Sequence, residues 1–136
     1  MSPLRAALPL FAFVWFAGCT PEKAPPEPLF APVMAETWTL QETGTKQAAE
    51  APEAVQRFAI VDYQTARYEQ QGGAKVDVQV FQLATDAAGL HLEQTWVPTA
   101  NTVAFHRGRY FAIVQWDGPR EQLNPFVREL GLRLSR

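Results

Sequence analysis

The stretch "AKVDVQVFQL" (residues 74–83) decides the fold class. Val76, Val78 and Val80 alternate strictly with Lys75, Asp77 and Gln79. Successive side chains of a strand point to opposite faces, so this alternation describes a strand with one buried face. Phe81 and Leu83 then fall on the second face, which is expected to be partly covered too. Upstream, "AIVDYQTARYE" (59–69) is rich in β-branched and aromatic residues, as strands are. Gly72 and Gly73 stand between the two runs and take positive φ without steric cost. Strand, glycine turn and strand read together as a β-hairpin.

The pattern repeats downstream. "NTVAFH" (101–106) and "YFAIVQW" (110–116) form a second hairpin, with Gly108 at its tight position. The latter run is almost wholly apolar, which suits a strand inside the sheet. Between the hairpins lies "TDAAGLHLEQTWVP" (85–98). Thr85 suits a helix cap, with Asp86 near the positive helix end. Ala88, Leu92 and Trp96 recur every four residues as an apolar stripe, and Pro98 stops the helix. Gly89 costs about 1 kcal/mol relative to alanine inside a helix, so it implies close packing of that helix on the sheet.

The flanks are shorter elements. "ETWTLQET" (36–43) alternates Trp38 and Leu40 with polar residues and reads as a strand that Gly44 ends. Pro52 suits the first turn of a short helix reaching Arg57. In "DGPREQLNPFVRELG" (117–131), Leu123, Phe126, Val127 and Leu130 have helical spacing. Pro125 conflicts with one continuous helix, because it lacks an N–H and its ring meets the preceding turn. The expectation is a kinked segment from Pro119, a helix from Pro125 to Leu130, and a stop at Gly131. The fold class expected is α+β: an antiparallel sheet built from hairpins, with the helices packed on one face.

Order is expected from about Val33, giving one domain over residues 33–136. The N-terminal region differs in character. Arg5 and the initiator amine precede an apolar run over residues 6–17, interrupted by Pro9. This is the form of an export signal. Twelve residues of helix span only about 18 Å, against about 30 Å of hydrocarbon, so a permanent transmembrane helix fits less well.

Phe16-Ala17-Gly18-Cys19 resembles the lipobox of bacterial lipoproteins, with Phe16 where that family usually has Leu. The resemblance implies diacylglycerol on the Cys19 sulfur and cleavage before Cys19, so that residues 1–18 form a signal peptide. The alternatives are ordinary secretion, with Ala17 and Cys19 as the small pair before the cut, and an incidental cysteine. Two or more acyl chains hold a protein stably on a bilayer where one does not. "TPEKAPPEP" (20–28) opens a proline-rich tether, assigned to residues 19–32, that favours extended polyproline geometry. Thr20, rather than Asp, after the cysteine implies outer-membrane sorting by the same resemblance.

Residues 57–114 also resemble a poorly characterised group of bacterial secreted or lipid-anchored proteins, through "ARYE", "TDAAG", "TWVP" and "FHRGRYFAIV". That group supplies no activity and no site residues.

The chemistry available is sparse. The formal net charge of −2 is too small to imply a nucleic-acid or membrane-surface partner. One cysteine permits no internal disulfide. The serines and the cysteine are Ser2, Cys19 and Ser135, all outside the expected elements, so nucleophilic catalysis by Ser or Cys is not expected. His91 has no partner at metal-ligand spacing. His106 with Arg107 and Arg109 marks a small cationic hairpin tip that reads as solvated turn residues. Asp62 and Asp77 sit on the two strands of the first hairpin, where exposed acids are ordinarily solvated. Trp38, Trp96, Tyr110, Phe111 and Trp116 suit the core of a small domain.

The sequence therefore leads to one lipidation residue, Cys19, and to no catalytic, metal or cofactor residue. The function expected is non-enzymatic binding or assembly at the cell envelope, through an unidentified envelope protein and without nucleic acid. The alternative is a periplasmic carrier or sensor of a small ligand.

Overall fold

The computed structural model describes residues 28–136. Cys19, the expected signal peptide over residues 1–18 and the expected tether up to residue 27 lie outside the described residues. The fold is α+β, with six strands: β1 (Val33–Met34), β2 (Trp38–Thr45), β3 (Ile60–Gln70), β4 (Lys75–Leu83), β5 (Thr102–Arg107) and β6 (Tyr110–Trp116). They form one sheet in the order β1-β2-β3-β4-β6-β5, with every neighbouring pair antiparallel. The helices are α1 (Glu53–Gln56), α2 (Asp86–Thr95) and α3 (Arg120–Leu134), with a 3-10 turn at Ala48–Glu50.

Both hairpins form where the glycines place them. Gly72, Gly73 and Gly108 have φ of 105°, 91° and 56°. In β4, Val76, Val78 and Val80 are all buried on one face, as the alternation requires. They pair with Trp116, Val114 and Ala112 of β6, and with Tyr68, Ala66 and Gln64 of β3. Phe81 and Leu83 point the other way and are fully buried as well.

The helices do not share a face, which corrects the one-face arrangement expected. Leu123, Phe126, Leu130 and Leu134 of α3 pack with the valine row, Trp38, Tyr68 and Trp116. Leu92 of α2 and Val55 of α1 pack with Tyr63, Phe81, Leu83, Phe111 and Ile113 on the opposite face. The topology accounts for this. β4 and β5 run in the same direction with β6 between them, so α2 is a crossover lying on one face. The chain after β6 is then free to cover the other.

Three local expectations are corrected by long-range packing or pairing. The α3 helix runs unbroken from Arg120 to Leu134 through Pro125 and Gly131. Leu123 and Phe126, on either side of the proline, are 1% and 0% exposed. Their burial outweighs a local penalty of about 3 kcal/mol. Strand β2 continues past Gly44 to Thr45, because pairing with β3 persists to Gln64. Packing also begins upstream of Val33: Phe30 and Ala31 belong to the α3-face core. The C-terminal part of the assigned tether is thus domain.

The turn from β1 to β2 carries strain. Ala35 and Glu36 have φ of 48° and 64°, a region that favours glycine. Met34 and Trp38, which flank the turn, are both 0% exposed. The Ala35 N–H donates to the Glu129 carboxylate of α3. Burial on both sides and this bond hold the turn in place.

Helix α2 forms as its sequence requires. The Thr85 hydroxyl accepts from the Ala88 N–H at 3.3 Å. A Cβ on Gly89 would lie 3.1 Å from the Gly108 carbonyl oxygen and 3.3 Å from His106 Cβ. The missing side chain lets α2 approach the β5–β6 turn, as expected.

Candidate functional site

Each face of the sheet carries a recess. On the α2 face, the helices cover only the end of the sheet bearing Tyr63, Phe81 and Phe111. The other end is bare and polar, a shallow recess of about 510 Å³ that includes Thr65, Arg67, Asp77, Gln79 and Gln115. Its groups satisfy one another. Arg67 Nε donates to Asp77 Oδ1 at 2.9 Å, and Asp77 holds the guanidinium above its ordinary pKa. The Tyr63 hydroxyl donates to Gln79 Oε1 at 2.6 Å. Burial, with the nearby Glu50 charge, raises the Tyr63 pKa. Paired cross-strand groups on an open sheet describe a solvated face.

The second recess lies on the α3 face, where the helix runs out. Rows of buried residues end at Val80, Ala112 and Phe105. The next row across the sheet is polar: Asp62 pairs with Gln82, and Gln82 with Tyr110. Beyond the last turn of α3 this row lines an open cleft of about 810 Å³. Gln64 Nε2 donates to Asp62 Oδ2 at 2.6 Å within its floor. Leu29 and Phe30 form one wall, and Arg133 and Arg136 form the lip. Arg133 Nη1 donates to the Pro28 carbonyl oxygen at 3.3 Å. The chain therefore enters the domain along the edge of this cleft.

The cleft combines an apolar wall, a hydrogen-bonding floor and a cationic lip. It suits an amphipathic ligand or an extended segment of another chain better than a buried apolar molecule. Tyr110 is half-buried there and presents the aromatic side chain that partner contacts favour.

The residues singled out from sequence are dispersed. The cationic hairpin tip separates because alternate strand residues face opposite ways. His106 turns to the α2 face, where its Nδ1 meets a Glu93 carboxylate oxygen that also accepts from its backbone N–H at 3.2 Å. Arg107 turns to the α3 face, 5.1 Å over the Phe105 ring. Arg109 lies 3.7 Å from Asp86. His91 packs its ring against Phe58 at 5.6 Å between centroids. Asp62 and Asp77 do not oppose each other; their partners are Gln82 and Arg67. Trp38, Phe111 and Trp116 are core residues. Sequence reasoning did not find Gln64, Gln82 or Arg133, because single polar residues carry no periodic signal.

Among the described residues, no cluster of three His, Cys, Asp or Glu could hold a metal ion. Nor is any described helix long and apolar enough to cross a membrane. The chain matches no protein-family model, no curated protein and no solved structure, so the reading of its fold and cleft rests on its own residues.

Proposed function

We propose that the chain is a bacterial envelope lipoprotein, anchored through Cys19 and sorted to the outer membrane, whose domain binds a partner protein at the envelope without catalysing a reaction. The observation that carries this reading is the sequence Phe16-Ala17-Gly18-Cys19 after an apolar run and before a proline-rich stretch. The cleft adds support. The chain passes Pro28 at its edge, so an anchor at Cys19 holds the cleft close to the bilayer. A small-ligand carrier is the second reading, favoured by a cleft volume within the usual range of ligand sites.

Metabolic labelling with a palmitate analogue tests the anchor. Cys19→Ala abolishes labelling and releases the protein from membranes; persistent labelling of that variant overturns the reading. A photo-crosslinker at Tyr110, used in native membranes, separates the two functions. Capture of an envelope protein supports the binding module. A small molecule found by native mass spectrometry, with no protein adduct, supports the carrier.

A further inference from the structure

The net charge of −2 conceals a local excess of the opposite sign. From residue 120 to residue 136, four arginines stand against two glutamates. Glu121 lies in the first turn of α3, and Glu129 is turned inward to the Ala35 N–H. In the C-terminal half of the helix Arg128 is thus exposed, with Arg133 half-buried at the cleft edge. Arg128 and Leu132 are one helical turn apart on its exposed side, and Leu132 is 60% exposed. Arg133 and Arg136 follow Leu132 in sequence and line the lip of the cleft, whose lining includes Asp62.

The chain leaves the domain at this same place, where Arg133 holds the Pro28 carbonyl. Eight residues lie between Cys19 and Pro28, and the nine steps they make reach about 30 Å when fully extended. We propose that the C-terminal half of α3 is a second membrane contact: an anionic phospholipid surface receives Arg128, Arg133 and Arg136 around Leu132, and so sets which end of the domain faces the bilayer. This rests on the anchor proposed at Cys19. Arginine stems lie along an apolar boundary while their heads reach lipid phosphates, and an exposed leucine among them enters that boundary. Each arginine near an anionic surface strengthens contact severalfold, within a Debye length of it. The tether confines the patch to within about 30 Å of the bilayer, so that it meets the surface often enough for this short-range attraction to hold it there.

The test uses the full acylated chain in vesicles of phosphatidylcholine, alone or mixed with phosphatidylglycerol. With Cys19 acylated, a cysteine introduced by Ser135→Cys is the single free thiol, and it carries a fluorophore. Gln71→Cys, at the far end of the β3–β4 hairpin, is the control. A quencher attached to lipid headgroups should quench residue 135 more than residue 71. The difference should grow with phosphatidylglycerol and shrink in high salt. Arg128→Gln should lower the ratio of docked to undocked domain about fivefold. Equal quenching at the two positions, or quenching indifferent to phosphatidylglycerol, overturns the proposal. The mass of the N-terminal peptide reports acylation separately. Should it carry no acyl group, the anchor reading falls, and sedimentation of the chain with the same vesicles judges the patch. Pelleting that depends on phosphatidylglycerol upholds it, and none overturns it.

Discussion

The two faces of the sheet are built on opposite plans. On the α3 face, apolar side chains run from Trp38 to Phe105, and a helix of 15 residues lies over them. On the α2 face, they cluster around Tyr63, Phe81, Phe111 and Ile113 under a helix of 10 residues, and the remainder is polar. The extent of cover follows the extent of apolar surface. Strand β4 shows the rule within nine residues: Val76, Val78 and Val80 face α3, while only Phe81 and Leu83 face α2. A sheet face needs a helix only where it carries enough apolar area to be worth removing from water.

Large-to-small substitutions give the strongest test of this contrast. Phe126 makes edge contacts with both Trp38 and Tyr68, at ring-centroid distances of 5.8 and 5.0 Å. Phe126→Ala should cost about 3–5 kcal/mol in urea unfolding, because it empties the centre of the larger core. Ile113→Ala, under the smaller cover, should cost about 2–5 kcal/mol and fall below Phe126→Ala in the same assay. The reverse order would break the contrast.

Alkaline titration distinguishes the faces next. Tyr68, 0% exposed on the α3 face, donates its hydroxyl proton to the Ala31 carbonyl oxygen at 2.8 Å. Burial pushes its pKa up to about 12 from 10.0, with Arg133 opposing the rise and Glu129 adding to it. The folded state therefore keeps this proton where the unfolded chain loses it. Its contribution to stability is complete below pH 10 and is lost as pH rises towards 12. Tyr68→Phe should flatten the fall of stability over that window, measured by denaturant midpoints at stepped pH. An unchanged slope would show that other groups govern it.

One substitution made on each face sharpens the comparison further. Alanine raises helix propensity over glycine by about 1 kcal/mol. At Gly89 the new methyl meets backbone, the Gly108 carbonyl at 3.1 Å, so Gly89→Ala should lose stability by about 1–2 kcal/mol net. At Gly131 the nearest atom is the far end of Arg107, at 3.3 Å, which can move aside. Gly131→Ala should therefore be neutral or gain up to about 1 kcal/mol. Thermal unfolding of both variants checks the difference in sign. Tyr63→Phe, which removes one partly buried hydrogen bond to Gln79, should cost about 0.5–1.5 kcal/mol in the same measurement.

The hairpins, the α+β class, the cap at Thr85 and the tight approach at Gly89 can all be read from local sequence. Each is legible because a period of two, a glycine with positive φ or a capping hydroxyl is a local property of the chain. Cys19 is likewise a reading of local motif, and it lies outside the described residues. Long-range packing selects the face each helix covers, since an apolar stripe specifies burial but not against which side. It also carried α3 through Pro125, drew Phe30 and Ala31 into the core, and divided His106, Arg107 and Arg109 among different neighbours. The cleft belongs to the same class of outcome. It exists because α3 ends one row short of Asp62, Gln82 and Tyr110, which are distant in sequence and adjacent only through strand register. Local pattern sets what a segment wants to bury. Long-range pairing, which no single window of sequence contains, sets what it meets.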